Sequence, residues 1–166
     1  MKGWMAEDPQ WSNPITSAII DLGGKDALKG VRRALSITLS EPEKTSKRGK
    51  AALKKRLSRD CSETPAVSFR VKNTGEEPLS LALAIKTGDW VFFESQPQQV
   101  KAGETWKELR FDLTAKTFKS SATNWSFSTA VDHLDDVKEL QLLIYTRDAA
   151  GSALISSMNF LGADEL

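Results

Sequence analysis

Cysteine and histidine are almost missing from this 166-residue chain, which has one of each, Cys61 and His133. A single cysteine excludes an internal disulfide, although it does not fix the compartment, since many secreted sandwiches carry no disulfide. With one histidine and one cysteine, no cluster of zinc-ligand spacing can form, and no glycine-rich phosphate loop is present. No apolar run approaches the roughly 20 residues needed to cross a bilayer as a helix. No basic stretch followed by an apolar segment opens the chain, so no signal peptide is visible. Net charge is also missing: 23 Lys and Arg against 22 Asp and Glu leave +1. No global field draws the chain to nucleic acid or membrane. Repeats, heptads and low-complexity linkers are absent too. The length suits one domain, spanning residues 1–166, with a full core.

What the sequence does have is alternation. Leu35, Ile37 and Leu39 alternate with Ser36, Thr38 and Ser40, and Val67, Phe69 and Val71 with Ser68, Arg70 and Lys72. Leu79, Leu81, Leu83 and Ile85 alternate with small or polar residues, and turns at Asn73-Thr74-Gly75 and Thr87-Gly88-Asp89 bound the run. Period two is the signature of strands with one buried face. Ile15–Leu22, Trp90–Ser95, Val137–Arg147 and Ala153–Leu161 read as further strands. Gly49–Leu57 is ambiguous: Leu53 and Leu57 fit a helix face, but Ala51, Leu53, Lys55 and Leu57 also alternate. The surrounding strands decide for β, because tertiary context overrides propensity. Trp106 is one step out of phase with Leu109, Phe111 and Leu113, which predicts a bulge or face switch near Lys107. Leu134-Asp135-Asp136 reads as a one-turn 3₁₀ element. About nine or ten short strands at roughly 10–12-residue spacing predict an all-β, two-sheet antiparallel sandwich.

The order of these pieces carries a resemblance. Phe69-Arg70-Val71-Lys72-Asn73 precedes Leu79-Ser80-Leu81-Ala82-Leu83. Gly103-Glu104-Thr105-Trp106 then runs into Phe111-Asp112-Leu113. Trp125, Leu134-Asp135-Asp136-Val137, Leu142-Leu143-Ile144-Tyr145 and Gly151 to Phe160 follow. From about Gly49 to Leu161 the chain resembles the jelly-roll carbohydrate-binding modules with a galactose-binding-domain-like sandwich. The resemblance implies non-catalytic binding of an oligo- or polysaccharide. It also implies a covalently linked glycoside hydrolase that the module holds near its substrate, and an extracellular or cell-surface location. Such modules often hold a structural calcium through an aspartate in the last strand. Here that run is Ile155-Ser156-Ser157-Met158-Asn159-Phe160, and neither serine supplies a carboxylate, which calcium favours. Glu7, Asp8 and Asp21 remain as other acidic donors, and no cofactor is required. The alternative is a sandwich for structure or protein interaction without a sugar site.

The candidate binding residues come from the strand faces. Sugars offer apolar C–H faces that stack on aromatic rings and hydroxyls that need polar partners. Five tryptophans are present. Trp106 precedes a core strand and reads as packing, Trp4 and Trp11 as seals of the N-terminal edge, and Trp125 as a loop residue with either role. Trp90, directly after a Gly-Asp turn, is the leading platform. If the leucines of each strand point inward, Ala82 and Ala84 on the outer face leave room for a ligand. Trp90 and Tyr145 then stack, and Arg70, Lys86, Glu94, Gln141 and Arg147 contact hydroxyls or carboxylates. Catalysis finds no constellation: His133 beside Asp132 reads as a surface residue, Cys61 as an inert thiol, and Asp132, Asp135 and Asp136 as capping groups of a turn. The basic run Lys44, Lys47, Arg48, Lys50, Lys54, Lys55, Arg56 and Arg59 has no interleaved aromatic. It reads as a lysine-protected edge strand rather than a phosphate-binding patch.

Overall fold

The computed structural model describes residues 3–40, 49–103, 105–145 and 150–165. Within them the chain forms two antiparallel sheets packed face to face, with no α-helix among the described residues. The front sheet contains β1 (Met5–Ala6), β4 (Ala51–Arg59), β6 (Leu79–Thr87), β7 (Val91–Ser95), β8 (Gln98–Val100), β10 (Phe118–Lys119) and β11 (Val137–Tyr145). The back sheet contains β2 (Ile15–Asp21), β3 (Arg33–Leu39), β5 (Ala66–Asn73), β9 (Lys107–Asp112), β12 (Gly151–Ile155) and β13 (Asn159–Leu161). The front order is β1-β4-β11-β6-β7-β10 with β8 also on β6; the back order is β13-β5-β12-β3-β2 with β9 also on β5. This is the expected sandwich.

The alternating apolar residues face one another between the sheets. Leu53, Leu81, Leu83, Ile85, Leu142 and Ile144 come from the front, and Leu35, Ile37, Val67, Phe69, Val71, Leu109 and Phe111 from the back. Phe69 and Phe111 stack with centroids 5.7 Å apart. Each fully buried Leu, Ile or Phe adds about 1.5–3 kcal/mol over an exposed one. The ambiguous Gly49–Leu57 segment is strand β4. It pairs along β11 from Ala51↔Ile144 to Arg56↔Glu139, so sheet hydrogen bonds and burial of Leu53 outweigh helix propensity.

Two strand paths are broken, and a serine mends each break. β7 and β8 both pair with β6 but are separated at Gln96-Pro97, where proline has no N–H to offer. There the Ser95 hydroxyl accepts the Leu83 N–H at 3.0 Å. The anticipated single strand Ala153–Leu161 is likewise two, β12 and β13, both on β5. Between them the Ser156 hydroxyl accepts the Arg70 N–H at 2.7 Å, while the Ser156 N–H donates to the Arg70 carbonyl at 2.8 Å. Trp106 needs no bulge to explain its phase. It lies outside the ladder, which starts at Lys107, and its indole N–H donates to the Asp26 carbonyl at 3.2 Å. Trp4 packs on the core, whereas Trp11 is exposed and does not seal the edge.

Candidate functional site

The outer face of the front sheet is organised in cross-strand rows. Ala52, Leu143 and Ala82 form one. Lys54, Gln141, Ala84, Glu94 and Lys119 form the next. Arg56, Glu139, Lys86 and Phe92 form the third. A bulge in β11 between Val137 and Glu139 sets this pattern. The extra residue turns Glu139 outward and puts Leu140 back in the core, the kind of re-aiming that bulges provide. Without that shift Gln141 and Tyr145 would face inward.

These rows hold a nearly buried network of charges. Glu94 is 3% exposed and has three partners: the Tyr145 hydroxyl donates to it, and Lys119 and Lys50 lie at 2.8 and 3.4 Å. Glu139, 2% exposed, has Lys86 at 2.9 Å and Arg56 at 3.9 Å. Gln141 donates to both Glu139 and Glu7 at 2.8 Å, and Glu7 pairs with Lys54 at 2.6 Å. Burial opposes the Glu94 carboxylate, yet the Lys119 and Tyr145 hydrogen bonds and the Lys50 charge outweigh it. Its pKa lies below the ordinary value. Glu7 is likewise lowered: burial opposes it and the Lys54 ion pair prevails. Burial, and then the Glu94 carboxylate, push the Tyr145 phenol well above its ordinary range. Ala52, Ala82, Ala84 and Leu143 are buried beneath this layer, with Phe92 and Tyr145 packed against them. The alanines therefore do not leave an open floor. They let long polar side chains lie flat on the sheet.

An aromatic arc borders the network. Trp90 is 49% exposed and Trp125 55%. Both sit in the left-handed region, at φ 63° and 61°. That conformation costs a bulky residue of order 1–3 kcal/mol and persists only where the surroundings enforce it. Arg56 and Lys138 each stand 5.8 Å from the Trp90 ring centroid, on its side of the network. Trp125 meets Phe92 at 6.3 Å, Lys50 lies 6.0 Å from Phe92, and Lys119 lies 5.0 Å from the exposed Phe127. The arc therefore touches the same lysines and arginine that hold the buried carboxylates.

Lys86, Glu94, Gln141 and Tyr145 thus share this face, with Trp90 at its rim. Arg70 does not: Phe69 and Val71 face the core from the back sheet, so Arg70 points out on the opposite side of the sandwich. Arg147 lies outside the described residues, as do Lys44, Lys47 and Arg48. The rest of the basic run is a solvated edge only in part: β1 pairs with β4 at Leu53 and Lys54, and beyond them Arg56 and Arg59 are exposed. β4 lies between β1 and β11; Lys50, Lys54 and Arg56 pair with carboxylates, and Arg59 stacks 4.2 Å from the Phe160 ring. Lys119, Glu139, Phe92 and Phe127 were not singled out from sequence, and Glu7 and Lys50 were named only as an acidic donor and as part of the basic run. For Phe92 and Glu139 the signal was strand phase, which sets them on the same face as Glu94 and Gln141.

Other candidates stand apart. Cys61 is buried and burial raises its thiol pKa, which removes the thiolate a nucleophile needs. His133 is exposed in a left-handed turn above Gly88. Of the residues considered for calcium, three are already engaged. The Ser156 hydroxyl is engaged in the β-ladder, Asp21 pairs with Arg33 at 3.1 Å, and Glu7 pairs with Lys54. Among the described residues no group of three or more His, Cys, Asp or Glu is gathered for a metal.

No protein-family model matches the sequence, and no curated protein matches it. The likeness is in three dimensions. A family 11 carbohydrate-binding module from Clostridium thermocellum, solved in complex with a β-1,3-1,4-mixed-linked tetrasaccharide, superposes with a TM-score of 0.65 at 13% identity, covering 98% of this chain and 91% of that one. An exo-β-agarase structure matches with a TM-score of 0.67 at 10% identity over 96% of this chain, which spans only 24% of the agarase. A putative sugar-binding protein from Bacteroides thetaiotaomicron matches at 0.55, with 16% identity, 96% of this chain and 87% of that one. At these identities the likeness establishes the fold: a jelly-roll β-sandwich of the kind found in carbohydrate-binding modules.

Proposed function

We propose that this chain is a non-catalytic carbohydrate-binding domain and that it holds a glycan across the outer face of the front sheet. The observation that carries the reading is the aromatic arc of Trp90, Phe92, Trp125 and Phe127 beside the locked polar row of Glu94, Lys119, Gln141 and Tyr145. Exposed rings fit the apolar faces of sugar units, and fixed donors and acceptors fit their hydroxyls. Because ion pairs already hold the polar side chains, little ordering entropy is spent on binding. The fold neighbours support the same reading: one was solved with an oligosaccharide, and the agarase match covers a quarter of a larger enzyme. By analogy this domain sits beside a glycan-active catalytic domain in a secreted or cell-surface protein and keeps it near its polymer. No described helix is long and apolar enough to cross a membrane.

Affinity electrophoresis through gels containing mixed-linkage β-glucan, agarose, xylan or galactan tests this. The expected result is retardation in at least one gel, abolished by Trp90→Ala and weakened by Tyr145→Phe. Unretarded migration in every gel would leave a sandwich without a sugar site. Release of reducing sugar by the purified domain would contradict its non-catalytic role.

A further inference from the structure

The back sheet carries a groove of its own, of about 740 Å³, on the side of the sandwich away from the aromatic arc. Ser68 and Arg70 of β5 lie along it, with Glu108 from β9 on one side and Ser157 and Asn159 from the β12–β13 junction on the other. A tight loop closed by the Leu28–Val31 bridge, with Gly30 at φ 79°, brings Arg32 and Arg33 to the same groove.

The charges here are handled unlike those of the front face. Arg33 pairs with Asp21 at 3.1 Å, and Glu108 pairs with Arg110 at 3.4 Å rather than with Arg70, its cross-strand neighbour. Among the described residues the Arg32 and Arg70 side chains make no hydrogen bond or ion pair. Ser68 is only 2% exposed, yet it lines the groove and its hydroxyl also makes no hydrogen bond there. Two such guanidinium groups and a free hydroxyl lining one groove offer donors for the several acceptor oxygens of a planar carboxylate or a tetrahedral sulfate. The groove falls in the roughly 300–1,000 Å³ range of small-molecule sites, far above the ~30 Å³ that one water occupies, so it has room for more than a lone anion. Ser157 and Asn159 supply further neutral donors and acceptors at its wall. The one aromatic residue along it, Phe69, has its ring in the core, so stacking is not offered.

We infer that this groove is a second, separate binding site, for a saccharide bearing an anionic group, with Arg32 and Arg70 holding the carboxylate or sulfate and Ser68 a neighbouring oxygen. This is independent of the front-face reading and reassigns Arg70 from that face to its own.

The test is an ¹⁵N-¹H NMR titration at low salt with trigalacturonate, with its methyl-esterified form, with a sulfated galactan trisaccharide, and with sodium sulfate alone. The inference expects shifts at Ser68, Arg70, Ser157 and Asn159 for at least one anionic trisaccharide. Affinity should fall at least tenfold with Arg70→Gln or Arg32→Gln, fall several-fold in 0.3 M salt, and be unchanged by Trp90→Ala. Both arginine side chains are exposed, and an unchanged melting temperature verifies that the variants fold. Binding of neither anionic trisaccharide would overturn the inference, as would equal binding of the methyl ester. Sodium sulfate binding as tightly as the trisaccharides would reduce the site to a simple anion contact and overturn the saccharide class. Loss with Trp90→Ala but not Arg70→Gln would move the ligand to the front face. Failure of all neutral polysaccharides in the gels, with these shifts intact, would count against the front-face function alone.

Discussion

The two outer faces of this sandwich are written in the same alternating code and handle charge in opposite ways. On the front face Glu7, Glu94 and Glu139 are paired and mostly buried, beneath lysines that are themselves held and beside exposed rings. On the back face Arg32 and Arg70 stand unpaired, among the described residues, beside a groove that no exposed ring lines. Burying a charge demands partners, because an unpaired buried carboxylate loses its hydration with nothing in return. The front polar residues are therefore part of the fold's stability, while the back arginines are free to change without disturbing it.

Substitutions that break this contrast differ in size. The largest effect is expected from Glu94→Ala, which leaves Lys50, Lys119 and Tyr145 around an emptied site. Urea denaturation should show a loss of about 3 kcal/mol. Arg70→Ala should stay within about 0.5 kcal/mol of the parent. Equal losses in the two variants would erase the distinction. Tyr145→Phe removes one hydrogen bond to a charged acceptor and should cost about 1.5 kcal/mol by the same measurement. A cost near zero would mean that the two lysines satisfy Glu94 unaided.

Trp90 sharpens the contrast differently, since its strain belongs to a binding rim rather than to the core. Trp90→Ala and Trp90→Gly both delete the ring, but only glycine relieves the left-handed backbone. The glycine variant should be the more stable of the two by about 1 kcal/mol, and both should lose glycan retardation. Alanine equal to glycine would mean the turn is not strained. The smallest effect concerns pH. The folded-state pKa of Glu94 is lowered, so its contribution is present above the unfolded value of 4.5 and disappears as pH falls from there through the folded value. The stability gap between the parent and Glu94→Ala should therefore be widest at neutral pH and narrow below about pH 4.5. A gap that widened in acid would reverse the sign of this coupling.

Strand alternation made most of the fold legible in the sequence. Leu35, Ile37, Val67, Phe69, Leu83 and Ile85 needed only period two to be placed inside. The site was partly legible for the same reason: Lys86, Glu94, Gln141 and Tyr145 fall on the non-core phase of strands that turn out to be neighbours. Arg70 shows the limit. Phase tells which side of its own sheet a residue faces, but not which of two sheets the strand joins. The register that sets Glu139 beside Lys86 is decided by a one-residue bulge, which alternation across Val137–Tyr145 conceals. The end of β7 at Ser95 was legible, since Pro97 follows it, whereas the break at Ser156 was hidden because a hydroxyl replaces a ladder contact there without altering composition.

The most direct test of the central claim follows the five indole N–H signals by NMR while the domain is titrated with the soluble oligosaccharide of whichever glycan retards it. The front-face account predicts that the Trp90 and Trp125 signals shift together and saturate, and that the half-buried Trp4 and Trp106 signals stay in place. Saturable binding that leaves Trp90 and Trp125 unmoved, or no glycan that moves any of the five, would contradict it.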